Sequence, residues 1–150
     1  FFMLFHSLTD IESGYIYDPW ALAMTAVSML ARLSGGFSAL IDGAMGAALG
    51  FLFIYAIVLL SRGGMGMGDA MMMLGVGALL GWKLTILSLY LGFMSSGAIV
   101  IPLLAAKKLS RKDAVALGPY LAAGCILAIF TGRFIFEYLG FSLGWPWSNI

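Results

Sequence analysis

Long apolar runs separated by short polar loops make up most of this chain. Three runs have about the 20 residues that a helix needs to cross a bilayer: residues 37–60, 84–106 and 118–136. Two shorter runs, 19–33 and 70–82, predict further helices, and residues 1–9 indicate the tail of one more. The pattern therefore predicts an all-α, polytopic transmembrane bundle of about six helices, the first of them truncated.

Composition supports a membrane protein over a soluble one. Hydrophobic residues make up 62% of the chain and charged residues 10%, with a mean hydropathy of +1.02, whereas a soluble domain is about half apolar and about a quarter charged. A chain of 150 residues cannot hide so much apolar surface from water, so the lipid bilayer is an expected partner. We interpret residues 1–150 as one membrane-embedded domain with no soluble domain. The net charge of +1 gives no reason to expect nucleic acid.

Glycines recur at helical spacing within two of the runs. Small residues let membrane helices approach closely. Because glycine is common in membrane helices, no single one is diagnostic, but two sets are candidate packing seams: Gly43, Gly46 and Gly50 in one run, and Gly75, Gly77 and Gly81 in the next.

The distribution of basic residues predicts an orientation. Cytoplasmic loops carry an excess of Lys and Arg. Alternating the predicted spans puts the loops at 10–18, 62–69 and 107–117 on one side, which holds the dense basic cluster at 107–112. We therefore expect this side to face the cytoplasm, in a multi-pass protein of the inner or plasma membrane. The opposite side holds Arg32, Lys83 and Arg133.

Four acidic residues lie on the side assigned to the cytoplasm, next to predicted helix ends: Asp10, Glu12, Asp18 and Asp69. Asp18 precedes a proline, the arrangement of an N-cap followed by proline in the first helical turn. Asp69 precedes a helix-forming run, so a cap is an open alternative there too. Capping explains Asp10 poorly, because an acid at the end of an apolar run opposes the helix dipole.

The loop before Asp69 is rich in glycine, with four glycines within residues 63–68. Such a loop adopts backbone conformations closed to other residues and lets another chain approach closely. It lacks the Lys-Ser/Thr pair of a phosphate-binding loop, and a carboxylate at its end would repel phosphate. A peptide backbone is the better-matched ligand, and Gly66 and Gly68 are candidate contacts with it.

At residues 66–69 the tetrapeptide GMGD resembles the GxGD signature of the type IV prepilin peptidases and their archaeal preflagellin relatives. Asp10 and Asp18, eight residues apart, resemble the family's first aspartate and the Pro-Asp pair that opens its next helix. The segment that begins with Gly118 and Pro119 is similar to the Gly-Pro-rich start of a late helix in that family. The resemblance covers nearly the whole chain.

The resemblance implies that Asp10 and Asp69 are catalytic and that Asp18 is not. It implies water attack on a peptide carbonyl by two carboxylates that share a proton, with no metal and no cofactor. The implied substrate is a prepilin-like or pseudopilin-like protein with a short basic leader and a hydrophobic helix, cleaved at the cytoplasmic edge of the membrane. The substrate-binding positions expected on this basis are Gly66, Gly68, Gly118 and Pro119.

The chain departs from the family pattern at a few positions. Met71 stands where the family usually has lysine, and Tyr17 stands where it has the proline before Asp18. Many bacterial members also carry an N-terminal region with paired CxxC motifs and an N-methylating activity. Because Cys125 is the one cysteine among these 150 residues, it cannot form such a pair, and methyl transfer is not expected of them.

Three other interpretations stay open on the sequence. A non-enzymatic membrane protein, such as a small transporter or assembly subunit, would line a mid-membrane path with polar residues, of which the sequence has few. A presenilin-like intramembrane protease shares GxGD but would have an aspartate deep in a helix after a tyrosine, whereas Asp10 follows Thr9 near the edge of a run. An inactive fragment is the third.

Overall fold

The fold is a bundle of α-helices, seen in a computed structural model that describes residues 18–61, 66–105 and 117–140. Those residues form five helices: α1 Asp18–Leu33, α2 Gly36–Leu60, α3 Met67–Leu80, α4 Trp82–Ala105 and α5 Gly118–Tyr138. The all-α prediction is confirmed, and all five predicted runs are helical. The sixth predicted helix, over residues 1–9, lies outside the described residues.

Three of the described helices, α2, α4 and α5, are long and apolar enough to cross a membrane, whereas α1 and α3 are shorter apolar helices. Their surfaces carry large apolar side chains that a bilayer would cover, such as Leu60, Phe130 and Phe134, each more than 70% exposed. The chain is therefore a multi-pass membrane protein, as the composition predicts.

The short helix α3 is the centre of the bundle. It contacts each of the other four described helices, and ten of its 14 residues are buried. Its apolar side chains join the core with residues from α2, α4 and α5, including Ile54, Leu84 and Leu121. A helix that is apolar all round is buried on all sides, and that is the position of α3.

Contacts at glycines give the direction of each helix. Gly46 of α2 lies against Gly77 of α3, and Gly50 lies against Met73, so α2 and α3 are antiparallel. In the same way Gly124 of α5 lies against Gly92 of α4, and Gly132 of α5 lies against Leu84 of α4. Because α1 runs parallel to α3 and α4 runs parallel to α2, the amino-terminal ends of α1, α3 and α5 share one end of the bundle.

The seam between α2 and α3 is made by direct backbone contact. A Cβ added to Gly46 would overlap the carbonyl oxygen of Gly77, and a Cβ added to Gly77 would overlap that of Gly46. At Gly50 the added carbon would lie 2.7 Å from the Met73 carbonyl oxygen. The predicted glycine seam is confirmed for these positions, whereas Gly75 faces the side chain of Met24 on α1.

A buried ion pair joins three helices at the opposite end of the bundle. The Arg32 side chain, 0% exposed, donates from Nη1 to Asp42 Oδ2 over 2.7 Å and to the Ala39 carbonyl over 2.8 Å. Its Nη2 donates to the Leu79 carbonyl at the end of α3 over 3.0 Å. Gly81 packs directly against this pair with a φ of +78°, a region in which glycine is unstrained. Sequence analysis assigned Arg32 to the outer side without identifying this pairing.

We expect Gly46→Ala to destabilise the protein by about 2 kcal/mol, because a methyl group there forces two backbones apart. Gly97→Ala is the matched control, since its added carbon meets only Ile101 Cδ1 at 3.8 Å and should cost nothing measurable. Denaturant titration of the purified protein in detergent measures the difference. Equal stability of the two variants would contradict the contact at Gly46.

We expect Arg32→Leu to lower stability by about 3 kcal/mol, because it leaves the partly buried Asp42 carboxylate without its cation and removes the bonds that join three helices. Asp42→Asn leaves the fully buried guanidinium without its anion and should cost a similar amount, whereas Arg133→Leu removes an exposed arginine from the same end of the bundle and should cost less than about 0.5 kcal/mol. The same denaturant titration compares the three variants. A loss for Arg32→Leu no greater than that for Arg133→Leu would show that the pair does not hold the three helices together.

Candidate functional site

Asp69 lies in the first turn of α3. The helix begins after Gly66, which is the N-cap residue in an extended conformation with φ −75° and ψ 142°. The Asp69 amide donates to the Gly66 carbonyl over 3.3 Å. Asp69 is therefore the third residue of the helix. The alternative that Asp69 is an N-cap is wrong, because Gly66 has that position. A carboxylate in the first turn is stabilised by the positive end of the helix dipole.

The Asp69 side chain is buried, with 4% of its surface exposed. Its chain neighbours Gly68 and Ala70 are buried as well, and so are Met72 and Met73 one turn further on. Among the acidic side chains that the structure describes, Asp69 alone is buried. Burying a carboxylate is costly, and an ionisable residue inside a membrane helix bundle is a functional candidate by default.

Asp69 is recessed from the end of the bundle. Gly50 of α2 lies against Met73, so one turn further along the antiparallel pair Ile54 is level with Asp69. Helix α2 continues for another six residues to Leu60, which is about 9 Å at the helical rise of 1.5 Å per residue. The carboxylate thus lies below the rim formed by the longer helix.

The start of α1 lies at the same level. Met24 of α1 lies against Gly75 of the parallel helix α3, and the same six-residue offset brings Asp18 level with Asp69. Asp18 is the first residue of α1, as expected for a residue at a helix start, while its capping bond stays a prediction. Asp10 lies outside the described residues, so its position relative to Asp69 also stays a prediction.

The other predicted site residues share this end of the bundle. Gly66 is exposed and Gly68 is buried at the start of α3. Gly118 is buried as the first residue of α5, and Pro119 follows it in the first turn, where the missing amide of proline costs no hydrogen bond. Helices α3 and α5 contact one another. The structure therefore brings these four residues to the end that carries Asp69.

Three of the other buried polar side chains described are held by hydrogen bonds or by the ion pair, and the remaining two are Ser88 and Ser96 of α4. The hydroxyl of Ser28 donates to the Met24 carbonyl over 2.8 Å, and that of Thr85 donates to the Gly81 carbonyl over 2.7 Å. Arg32 is held by the ion pair. The two hydroxyl bonds close on the helix backbone and leave Ser28 and Thr85 no part in a polar path.

The recess is the feature of the site that the sequence analysis missed. The signal for it was the unequal length of neighbouring apolar runs, 37–60 against 70–82. A short helix that packs beside a longer one must stop before the end of its neighbour, at one end of the bundle or at both. The register of the contact between Gly46 and Gly77 shows that α3 ends inside α2 at both ends, and such a contact is a tertiary feature.

Residues 1–101 match the sequence profile of the type IV leader peptidase family. The chain is 27% identical over 143 residues to a protein of Burkholderia pseudomallei strain 1026b, a match that covers 92% of this chain and 46% of the relative. It is 28% identical over 128 residues to a protein of Aeromonas hydrophila, a match that covers 82% of this chain and 44% of the relative. Both relatives are named prepilin leader peptidase/N-methyltransferase.

A Bacillus subtilis protein of the same name is 27% identical over 139 residues, covering 92% of this chain and 56% of the relative. The chain thus spans about half the length of the curated relatives it matches. No solved structure matches it significantly.

We expect Gly66→Ala to leave folding unchanged. The residue is exposed with an ordinary φ, and an added carbon would meet only the Gly68 amide nitrogen, at 4.0 Å. Thermal unfolding in detergent should match that of the unmodified protein, so any loss of substrate binding would report on contact with the substrate. A large loss of stability would show instead that Gly66 has a packing role.

Proposed function

The chain belongs to the type IV leader peptidase family, and on that basis we propose that it is an aspartic endopeptidase that removes leader peptides from prepilin-like or pseudopilin-like proteins. Asp69 and Asp10 are the proposed catalytic pair. The observation that carries the proposal is the burial of Asp69 in the first turn of the central helix, within the GMGD sequence.

The proposed reaction is direct hydrolysis by water. Two carboxylates held close together share one proton, because both cannot easily be ionised at once. The ionised aspartate takes a proton from water, the water oxygen bonds to the peptide carbonyl carbon, and the protonated aspartate donates to the carbonyl oxygen. As the tetrahedral intermediate collapses, the aspartate that took the water proton gives it to the amine nitrogen and the carbon–nitrogen bond breaks, while the proton on the former carbonyl oxygen returns to the other aspartate. The products are a free carboxyl group and a free amino terminus.

Two features of the surroundings of Asp69 suit this chemistry: the amino-terminal end of α3 and the burial of the side chain. The amino-terminal end of α3 stabilises the ionised form of the carboxylate, while burial favours sharing the proton with a second acid. Burial also strengthens each electrostatic interaction with the developing oxyanion, because the local dielectric is low. The burial of Asp69 and its position in the first turn of α3 support its proposed role, and the role of Asp10 is proposed from the family motif.

The proposed substrate approaches from the rim of the bundle. With Asp69 about 9 Å below the end of α2, the scissile peptide bond must enter between helix ends in an extended form. Gly66, Gly68, Gly118 and Pro119 are the proposed contacts, since glycine leaves room for a peptide backbone. Their end of the bundle is the one proposed to face the cytoplasm, by the excess of basic residues in its loops.

The test is single replacement of each aspartate by asparagine, which keeps the shape and removes the acid. We expect Asp10→Asn and Asp69→Asn each to lower the rate of leader cleavage by at least about 100-fold, the usual contribution of a general acid or base. Asp18→Asn should keep substantial activity, because asparagine also caps helices. The assay is cleavage of a prepilin substrate by the full-length protein in detergent, normalised to folded protein.

The described chain offers a further control, because Asp42 lies about 18 Å from the level of Asp69, twelve residues along α2. Asp42→Asn removes a carboxylate from the far end of the bundle and should retain activity per folded molecule. Full activity of Asp69→Asn would overturn the proposal. A loss in Asp18→Asn equal to that in Asp10→Asn would reassign the second acid.

A further inference from the structure

Ser96 of α4 is a buried polar residue to which the proposed reaction assigns no role. It is 7% exposed. Burying a hydroxyl without a hydrogen bond costs free energy, and a serine or threonine in a helix avoids this cost by donating to the carbonyl oxygen three or four residues earlier. Ser28 and Thr85 do so in this protein, but the Ser96 hydroxyl has no hydrogen bond to any residue that the structure describes.

The carbonyl group that Ser96 would use, four residues earlier, is already occupied. This is the carbonyl of Gly92, and the hydroxyl of the neighbouring Ser95 donates to it over 2.8 Å. The same oxygen accepts the helical amide of Ser96. Because a carbonyl oxygen has two lone pairs, the Gly92 oxygen is saturated, and the Ser96 hydroxyl keeps its proton for another acceptor.

Ser96 is turned toward the start of α5. Gly92, one turn earlier on the same face of α4, lies against the backbone of Tyr120 and Leu121. Because α4 and α5 are antiparallel, moving one turn forward along α4 corresponds to moving one turn back along α5, which reaches Gly118 at the start of that helix. Ser96 therefore lies at the depth of a residue that is proposed to contact the substrate.

Two contacts between the parallel helices α2 and α4 relate their depths in the bundle. Gly50 of α2 lies against Thr85 of α4, and the ring centres of Phe53 and Phe93 are 6.0 Å apart. The two pairs differ in residue number by 35 and by 40. A residue of α2 is therefore level with the residue of α4 that stands between those two offsets.

Asp69 lies deeper in the bundle than Ser96. Because Asp69 is level with Ile54 of α2, the same offsets make it level with residues 89–94 of α4. Ser96 lies farther toward the rim by roughly two to seven residues, which is about 3 to 10 Å at the helical rise. A chain that enters from the rim thus passes Ser96 before it reaches Asp69.

The Asp69 carboxylate faces the same space. Asp69, Met73 and Val76 are spaced by four and then three residues, so they share one face of α3. That face joins the core with residues of α4 and α5, including Leu89 and Leu121. Asp69 and Ser96 therefore border one space between the ends of three helices, with Ser96 on the rim side.

We propose that the Ser96 hydroxyl binds the leader part of the substrate by donating a hydrogen bond to one of its backbone carbonyl oxygens. The inference rests on the proposed function. An extended peptide rises about 3.3 Å per residue, so Ser96 meets the chain roughly one to three residues from the scissile bond. The basic leader extends toward water at the rim while the hydrophobic helix stays in the bilayer, which puts leader residues beside Ser96. Its hydroxyl positions the chain and takes no part in proton transfer.

The first test compares serine replacements in the full-length protein, with cleavage of a prepilin precursor as the assay. We expect Ser96→Ala to raise KM about fivefold and to leave kcat unchanged, the effect of one neutral hydrogen bond to bound substrate. Ser95→Ala is the matched control, because that hydroxyl is bonded within its own helix, and it should leave KM unchanged. Ser88→Ala removes a second buried hydroxyl, about 12 Å deeper along α4, and should also leave KM unchanged.

Binding without cleavage separates contact with the leader from a general disturbance of the fold. In the Asp69→Asn background, Ser96→Ala should weaken the affinity for a fluorescent precursor about fivefold. It should leave the affinity for the mature protein, which lacks the leader, unchanged. Ser96→Cys keeps nearly the same shape with a weaker donor and should behave as Ser96→Ala does. A residue with only a packing role would change both affinities together.

Two results would overturn the inference and leave the peptidase proposal intact. One is a KM for Ser96→Ala equal to that for Ser95→Ala. The other is an equal loss of affinity for the precursor and for the mature protein. If the unmodified protein does not cleave the precursor, or if Asp69→Asn cleaves it at the full rate, the proposed function fails and the inference fails with it.

Discussion

The contact between the backbones of Gly46 and Gly77 is the constraint on which the rest of the structure depends. It lets α2 and α3 approach until carbonyl oxygens occupy the space that side chains would fill. A contact this close fixes both the separation of the two helices and their relative height. Because α3 also contacts the other described helices, its height determines where each of them meets the core.

The height of α3 in turn determines the two ends of the bundle. At its carboxyl end, Leu79 accepts a hydrogen bond from Arg32, which is paired with Asp42, so charge is neutralised and the helix is anchored. At its amino end, Asp69 is buried below the rim of α2. One end of the central helix is thus locked by a buried ion pair, and the other presents a buried acid to whatever enters between the helix ends. The end anchored by the ion pair suits a structural role, and the end with the buried acid suits chemistry.

Much of the fold could be predicted from the sequence, because in a membrane protein apolar run length is nearly sufficient to locate a helix. The runs at 37–60 and 118–136 correspond to α2 and α5 within two residues at each end. The start of α3 was misplaced by three residues, since Met67 and Gly68 were assigned to the loop when Gly66 is in fact the N-cap. The number of about six helices is not reached within the described residues, which contain five.

Asp69 could be named as a candidate from the sequence, but its depth in the bundle could not be predicted. The GMGD tetrapeptide singled out Asp69, yet its burial follows from the contacts of α3 with its neighbours, which no local pattern contains. The pairing of Arg32 with Asp42 could not be predicted for the same reason, because the two residues lie on different helices. The packing of α4 against α5 likewise brings together residues about 50 positions apart in sequence, such as Ile86 and Phe136, and no local pattern contains it.

The central claim is that Asp10 and Asp69 face each other across one catalytic centre, and proximity measured in the membrane tests it most directly. With Cys125→Ala as the background, Asp10→Cys and Asp69→Cys are combined and treated with a short bifunctional thiol reagent, with Asp10→Cys and Asp42→Cys as the control pair. The account predicts efficient cross-linking of the first pair within one chain and none of the second. Failure of the first pair to cross-link while each thiol alone reacts, or equal cross-linking of the two pairs, would contradict it.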